Sequence, residues 1–297
     1  MKKLKIQRRI HQSPPSAWYM RISHRTQKGE EAYPTEIPQF GLGVFLMADD
    51  GECKSSVLAA LKAGYSHIDT ASMYQNERDV GRALKETGIE RSSVFITTKL
   101  RRGDAVGYEE TIEQCKKSLE LLDTDYIDLY LVHAPPVDPE HRAPVWKAME
   151  HCLEQGWVKS IGVSNYGVAH LDAMKKYADY MPSVNQVEYN PWLQRPHLKQ
   201  ATEDAGAKLM AYSPLARGKK VTDPTLGEIA QRLNCTPAQV AIKFCYDQGC
   251  ITIPKSSNPS HIVENIASLN IDISSEMDAI IALEENYVSG WDPTTEP

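Results

Sequence analysis

Beyond residue 40 the chain alternates between short apolar runs and longer stretches in which apolar positions recur three or four apart. The runs are "GLGVF" (41–45), "HIDT" (67–70), "VFITTK" (94–99), "IDLYLVH" (127–133), "VKSIGVS" (158–164), "VNQVEY" (184–189), "KLMAYS" (208–213) and "CITIPK" (250–255). Most are continuously apolar rather than alternating, the pattern of strands covered on both faces. The stretches between them read as amphipathic helices. In 108–122, Ile112, Cys115, Leu119 and Leu122 share one stripe. At 236–248, Thr236 suits an N-cap, Pro237 the first helical position, Gln239 a capping box and Gly249 the stop. Asn258 and Pro259 mark another helix start in the same way. Strands each separated from the next by a helix predict a parallel sheet. Eight of them in 297 residues predict one closed (β/α)8 barrel of the TIM type rather than an open doubly wound sheet.

Composition narrows the partners more than the fold. A net charge of -6 gives no reason to expect nucleic acid or an anionic membrane, and no apolar run reaches the ~18 residues of a membrane helix. Charge is uneven, however: residues 1–29 hold eight Lys or Arg and no acid. The expected division is an N-terminal extension over 1–35, disordered or targeting, and a barrel over 36–297. Residues 15–40 look irregular, as a plug or hairpin at the barrel floor would. A cytoplasmic enzyme is expected, with organelle targeting by the basic N-terminus as the alternative. The six cysteines form no CxxC pair and lie mostly in apolar patterns, so they read as reduced core residues.

A barrel places its chemistry at the C-terminal ends of its strands. Lys99 and His133 end the third and fourth runs, and Asp69 stands where the second strand should end. Tyr74 follows in the loop after the second. Singly these have ordinary readings as a helix cap, a rim lysine and an interior histidine. Jointly they suggest one mouth, because adjacent strand ends are neighbours in space. A free phenol, with a pKa of about 10, is a poor acid at neutral pH, and an ammonium a few ångströms away makes its anion less costly. Asp, Tyr, Lys and His together describe a tuned phenolic acid aimed at a carbonyl. "GLGVFL" imitates the start of a dinucleotide fingerprint, but its third glycine is missing.

"GYSHIDTASMYQNERDVGRAL", "VFITTKL", "LYLVHAP", "IGVSN", "NQVEYNP", "AYSPLARG" and "IPKSSNPSHIVENI" together resemble the aldo-keto reductase superfamily, in its compact microbial and protozoan form. The resemblance runs from about residue 38 to "GWDP". It implies a (β/α)8 barrel that reduces aldehydes and ketones, with NADP(H) as cofactor and NAD(H) as a second option, and a monomer acting on small carbonyl or alcohol substrates. It implies Tyr74 as general acid, Lys99 and Asp69 lowering its pKa, and His133 orienting the carbonyl. Ser164, Asn165 and Gln186 match the nicotinamide carboxamide site, and Tyr212 the ring that stacks on the nicotinamide. Ser213 and Leu215 match the pyrophosphate loop. Lys255, Ser256, Ser257, His261, Glu264 and Asn265 match the adenosine end. Phe45, Arg101, Ala134 and Trp192 fall around the substrate pocket.

Several positions depart from the family pattern. His261 stands where many relatives carry an arginine, which weakens the expected grip on a 2′-phosphate. Phe45, Arg101 and Ala134 stand where tryptophan is common, so the pocket is expected to be less aromatic and more cationic. If Arg101 faces the pocket it favours anionic carbonyls; a solvent-facing Arg101 is the equal alternative. Three other functions stay open. A strand-end lysine can form a Schiff base, as Lys99 would in an aldolase. Some barrels of this superfamily bind cofactor as regulatory subunits. A metal hydrolase would have only His67, Asp69 and His133 to draw on, too few ligands, so no metal is expected.

Overall fold

The computed structural model describes residues 18–296. The basic segment 1–17, on which the targeting expectation rests, lies outside the described residues. The chain opens with an antiparallel hairpin of β1 (Tyr19–Arg25) and β2 (Glu31–Pro38). Eight parallel strands follow: β3 (Leu42–Gly43), β4 (His67–Asp69), β5 (Phe95–Leu100), β6 (Leu129–Val132), β7 (Ile161–Ser164), β8 (Val184–Glu188), β9 (Lys208–Tyr212) and β10 (Ile251–Thr252). Each run read as a strand holds one of them, with β5 reaching one residue beyond its run. Helices lie between successive strands: α1 (Glu52–Ala63), α2 (Glu77–Thr87), α3 (Tyr108–Leu122), α4 (Arg142–Glu154), α5 (Val168–Met174), α6 (Pro196–Asp204), then α7 (Pro224–Arg232) and α8 (Pro237–Asp247). After β10 come α9 (Pro259–Ala267) and α10 (Met277–Ile281).

The sheet closes where its first and last strands meet. Parallel bridges join Phe40 to Thr252 and Gly43 to Lys255, and the Gly43 N–H donates to Pro254 O at 3.1 Å. The glycines of "GLG" serve this closure. A Cβ on Gly41 would lie 2.7 Å from the His67 ring, and one on Gly43 3.1 Å from Ile253 O. They are present for close packing inside a barrel, not for a phosphate turn.

Ile22 and Ile37 of the hairpin pack with Leu129, Leu131, Val184, Met210 and Ile251 from inside the barrel, plugging its floor. β2 runs through position 35, so the division drawn at 35 falls within a strand: hairpin and barrel share this inner core. The larger core lies between strands and helices, and α3 contributes Ile112, Cys115 and Leu122 to it. Both predicted caps form. Thr236 and Gln239 exchange hydrogen bonds as a capping box, and Asn258 Oδ1 accepts the Ser260 N–H at 2.9 Å. Five cysteines are buried, Cys235 is half-buried, and all six are free thiols. No helix among the described residues is long and apolar enough to cross a membrane.

Candidate active site

The pleat of β5 decides which side chains meet. Thr97 points inward and its Oγ1 bonds His67 Nε2 at 2.9 Å. Thr98 points outward and donates to the buried carboxylate of Glu77 on α2 at 2.6 Å. Lys99 points inward again and is fully buried. Its Nζ donates to Asp69 Oδ1 at 2.6 Å, Thr70 O at 2.8 Å and the Tyr74 phenol oxygen at 3.3 Å. An ammonium has three donors and no acceptor, so these three partners saturate it as a cation. Burial pulls Lys99 downward and Asp69 upward, and each charge opposes the shift of the other. Asp69 Oδ2 also accepts from Gln186 Nε2 at 2.7 Å.

Tyr74 reaches this group because its loop is pinned. It lies in a short 3-10 turn, Ser72–Tyr74, with Ser72 Oγ donating to Lys99 O at 2.9 Å. Buried Asn76 donates to Val44 O (2.9 Å) and Met47 O (3.0 Å) and accepts from Thr70 Oγ1 (2.7 Å). Neither Ser72 nor Asn76 was marked by sequence reasoning, although an asparagine just before a helix is a cap signal. Burial pushes the Tyr74 phenol well above its ordinary pKa, Asp69 adds to the rise, and Arg217 opposes it. Desolvation of the buried phenol sets this direction, while Lys99 donates to its oxygen. Tyr74 is a fully protonated donor at neutral pH.

His133 follows β6 and meets the Tyr74 ring edge-on, with centroids 5.5 Å apart at 74°. Burial and the Lys99 charge bring its pKa down to about 3, so the imidazole is neutral. Its Nδ1 is buried without a hydrogen-bond partner among the described residues. Phe45 also packs against the phenol, with 5.0 Å between centroids. Ala134 is buried beside His133. His67, by contrast, is held in the interior layer by Thr97, and among the described residues no three His, Cys, Asp or Glu are arranged to hold a metal.

The residues matched to the carboxamide site come together at the ends of β7 and β8. Ser164 Oγ donates to Gln186 O (2.8 Å), Asn165 Nδ2 to His133 O (2.9 Å), and the Tyr212 hydroxyl to Asn165 Oδ1 (2.8 Å). Asn165 and Ser213 hold left-handed backbone, φ 61 and 49, uncommon for residues other than glycine. Gln186 spends its amide N–H on Asp69 and keeps Oε1 without a partner among the described residues. The side-chain donors of this set are spent on one another, on His133 O and on Asp69 and Met210, and the Gln186 oxygen is left to accept from the N–H of a primary amide.

Lys255 is exposed at the end of β10, with Ser256 and Ser257 leading into the capped start of α9, where His261 is exposed. Glu264 is partly committed, since Thr236 Oγ1 donates to its carboxylate at 2.7 Å; Asn265 is buried. Sequence reasoning did not mark Glu52 here. The Ala48 N–H, the Ser257 side chain and the Lys255 charge hold its carboxyl below the usual range. Nothing local points to it; barrel closure brings residues 52 and 257 together.

Two residues expected around the pocket stand elsewhere. Trp192 is 1% exposed, packs in the outer core and donates from Nε1 to Asp223 at 3.3 Å, while its carbonyl accepts from Tyr287 N at 2.9 Å. It fastens the C-terminal segment instead of lining a mouth. Arg101 is exposed and lines a polar cavity of about 330 Å³ with Arg78 of α2 and Gln114 and Lys117 of α3. Strand β5 ends at Leu100 and the chain turns at Arg102–Asp104, so the inward alternation that places Lys99 does not carry to Arg101.

The aldo/keto reductase family profile matches residues 47–283. Glyoxal reductase of Bacillus subtilis is 41% identical over 259 residues, 87% of this chain and 93% of its own. The 9,11-endoperoxide prostaglandin H2 reductase of Trypanosoma cruzi is 40% identical over 261 residues, 86% of this chain and 91% of its own. Among solved structures, an aldo-keto reductase from a Medee basin deep-sea metagenome superposes with a TM-score of 0.81 at 36% identity, covering 89% of this chain and 96% of that one. The Bombyx mori aldo-keto reductase in complex with NADP gives 0.78 at 29%, covering 91% and 95%. Fold, strand-end residues and these likenesses agree: the chain belongs to the aldo/keto reductase family of NAD(P)H-dependent oxidoreductases.

Proposed function

We propose that the protein reduces aldehydes and ketones to alcohols with NADPH, Tyr74 giving the proton. One observation carries the reading: Lys99 donates to the phenol oxygen at 3.3 Å, so the phenol proton is left to point at a substrate oxygen. When bound, a nicotinamide cofactor would supply the hydride. Lys99 stabilises the phenolate as it forms, and Asp69 with Thr70 O keeps Lys99 charged in a buried site. Neutral His133 has one N–H to hold the carbonyl oxygen in line. Ser164, Asn165 and Gln186 would hold the carboxamide, Tyr212 the ring, and Ser213 and Leu215 the pyrophosphate. Lys255, Ser256, Ser257, Asn265 and the α9 N-terminus would take the adenosine end. Every assigned residue comes from one chain, so a monomer suffices.

Exposed His261 in place of an arginine, and Glu52 beside Lys255 and Ser257, support a relaxed choice between NADPH and NADH, because a carboxylate there opposes a 2′-phosphate. The test of the main reading is Tyr74→Phe. Carbonyl-dependent NADPH oxidation should fall by about two to four orders of magnitude, the range for losing a positioned acid, with NADPH affinity unchanged. Turnover preserved with cofactor binding lost would refute the assignment. Tight NADPH binding by the unaltered protein, with no carbonyl reduced, would favour a non-catalytic barrel.

A further inference from the structure

Resting on that reduction, we propose that Arg217 determines substrate specificity by receiving a carboxylate carried by the carbonyl compound. Arg217 lies in the loop after β9, and both it and Ala216 are left-handed, with φ of 55 and 45. An L residue takes that backbone at a cost, which marks a turn whose path is fixed by the surrounding fold. The guanidinium lies over the Phe45 ring, 5.8 Å from its centroid. It also abuts Gly290, where any Cβ would stand 2.6–3.0 Å from the guanidinium atoms. The segment carrying Gly290 is itself anchored, since Ser289 N donates to the Glu188 carboxylate at 3.1 Å and Lys219 Nζ to Ser289 O at 2.8 Å.

Two arginines on neighbouring loops are spent in pairs, Arg195 with Asp292 at 3.0 Å and Arg102 with Glu296 at 2.6 Å, and Arg101 lines the separate cavity between α2 and α3. Arg217 makes no hydrogen bond or ion pair among the described residues, and it is exposed. One aromatic ring, Phe45, separates it from the Tyr74 phenol, which feels its charge. A carbonyl at Tyr74 with an anionic group several bonds away, lying along Phe45, would bring that group to an unspent planar fork that matches a carboxylate. The cationic pocket residue expected of Arg101 is thus supplied by Arg217 from another loop. The same chemistry has a second source, the cofactor pyrophosphate, because this loop also carries Ser213 and Leu215.

The test compares para-carboxybenzaldehyde with benzaldehyde in the full chain. Arg217→Ala should lower the ratio of their kcat/KM values by about tenfold or more, the scale of a lost charge-assisted bond. Using the ratio cancels any effect on Tyr74 common to both aldehydes. Arg217→Lys should recover part of it, and Gly290→Ala, which crowds the guanidinium, should move it in the Ala direction by less. NADPH affinity, read from protein fluorescence, should hold. An unchanged ratio overturns the proposal, and so does a parallel loss of NADPH affinity, which would give the guanidinium to the pyrophosphate. If the unaltered protein reduces neither aldehyde, the reductase reading fails separately. Binding of para-methylbenzoate to the NADP+-loaded protein must still weaken in Arg217→Ala, or this proposal fails too.

Discussion

Replacing Lys99 by methionine tests how the buried charges are shared. Methionine keeps the length and removes the ammonium, which is fully buried against Asp69, Thr70 and Tyr74. At 3.3 Å from the phenol oxygen, a full ammonium–phenolate pair is worth about 5 kcal/mol at an effective dielectric of about 20. A proton half transferred in the transition state develops about half of that, so kcat should fall roughly a hundredfold. Stability should drop as well. Asp69 is 2% exposed and would keep only Gln186, and breaking a buried pair from one side costs about 3–5 kcal/mol. Asp69→Asn added to Lys99→Met removes the stranded charge and should recover much of the stability but none of the turnover. The assays are steady-state NADPH oxidation and urea unfolding of each variant. If Lys99→Met folds and keeps turnover within about fivefold of the parent, the ammonium does not stabilise the forming phenolate and the reasoning fails. If the double variant is less stable than Lys99→Met, the buried-pair account fails.

Two further outcomes follow from the same structure. His24 and His67 are both wholly buried, and burial brings their pKa values down to about 4 and about 3. Between pH 6.5 and those values the unfolded chain binds protons that the native state does not, so stability is present above pH 6.5 and is lost as pH falls, by about 1.4 kcal/mol per unit for each group; a urea midpoint unchanged between neutral and mildly acid pH would contradict this. His261→Arg combined with Glu52→Gln should raise the preference for NADPH over NADH by about tenfold, one charge-assisted phosphate contact, in matched kcat/KM measurements. An unchanged cofactor ratio would move the 2′-phosphate site elsewhere.

The barrel was legible because burial on two faces leaves a mark that needs no partner to be seen. Continuous apolar runs give the strands, three- and four-residue spacing gives the helices, and Thr236, Pro237 and Asn258 set helix starts through bonds within a few residues. Asp69, Lys99 and His133 could be grouped on the same local logic, since strand ends in a parallel barrel must be neighbours. Tertiary structure decided whatever depends on where a chain turns and what then lies across from it. Arg101 and Lys99 have the same strand parity, but β5 stops between them, so one is buried at the phenol and the other is exposed between helices. Trp192 and Arg217 both follow strand ends, yet the C-terminal segment covers the first and, at Gly290, leaves room for the second. Glu52 joins Ser257 only because the sheet closes on itself. The net rise of the Tyr74 pKa also follows from assembly: the nearby cation could be inferred from sequence, but desolvation is set by how completely the folded barrel excludes water.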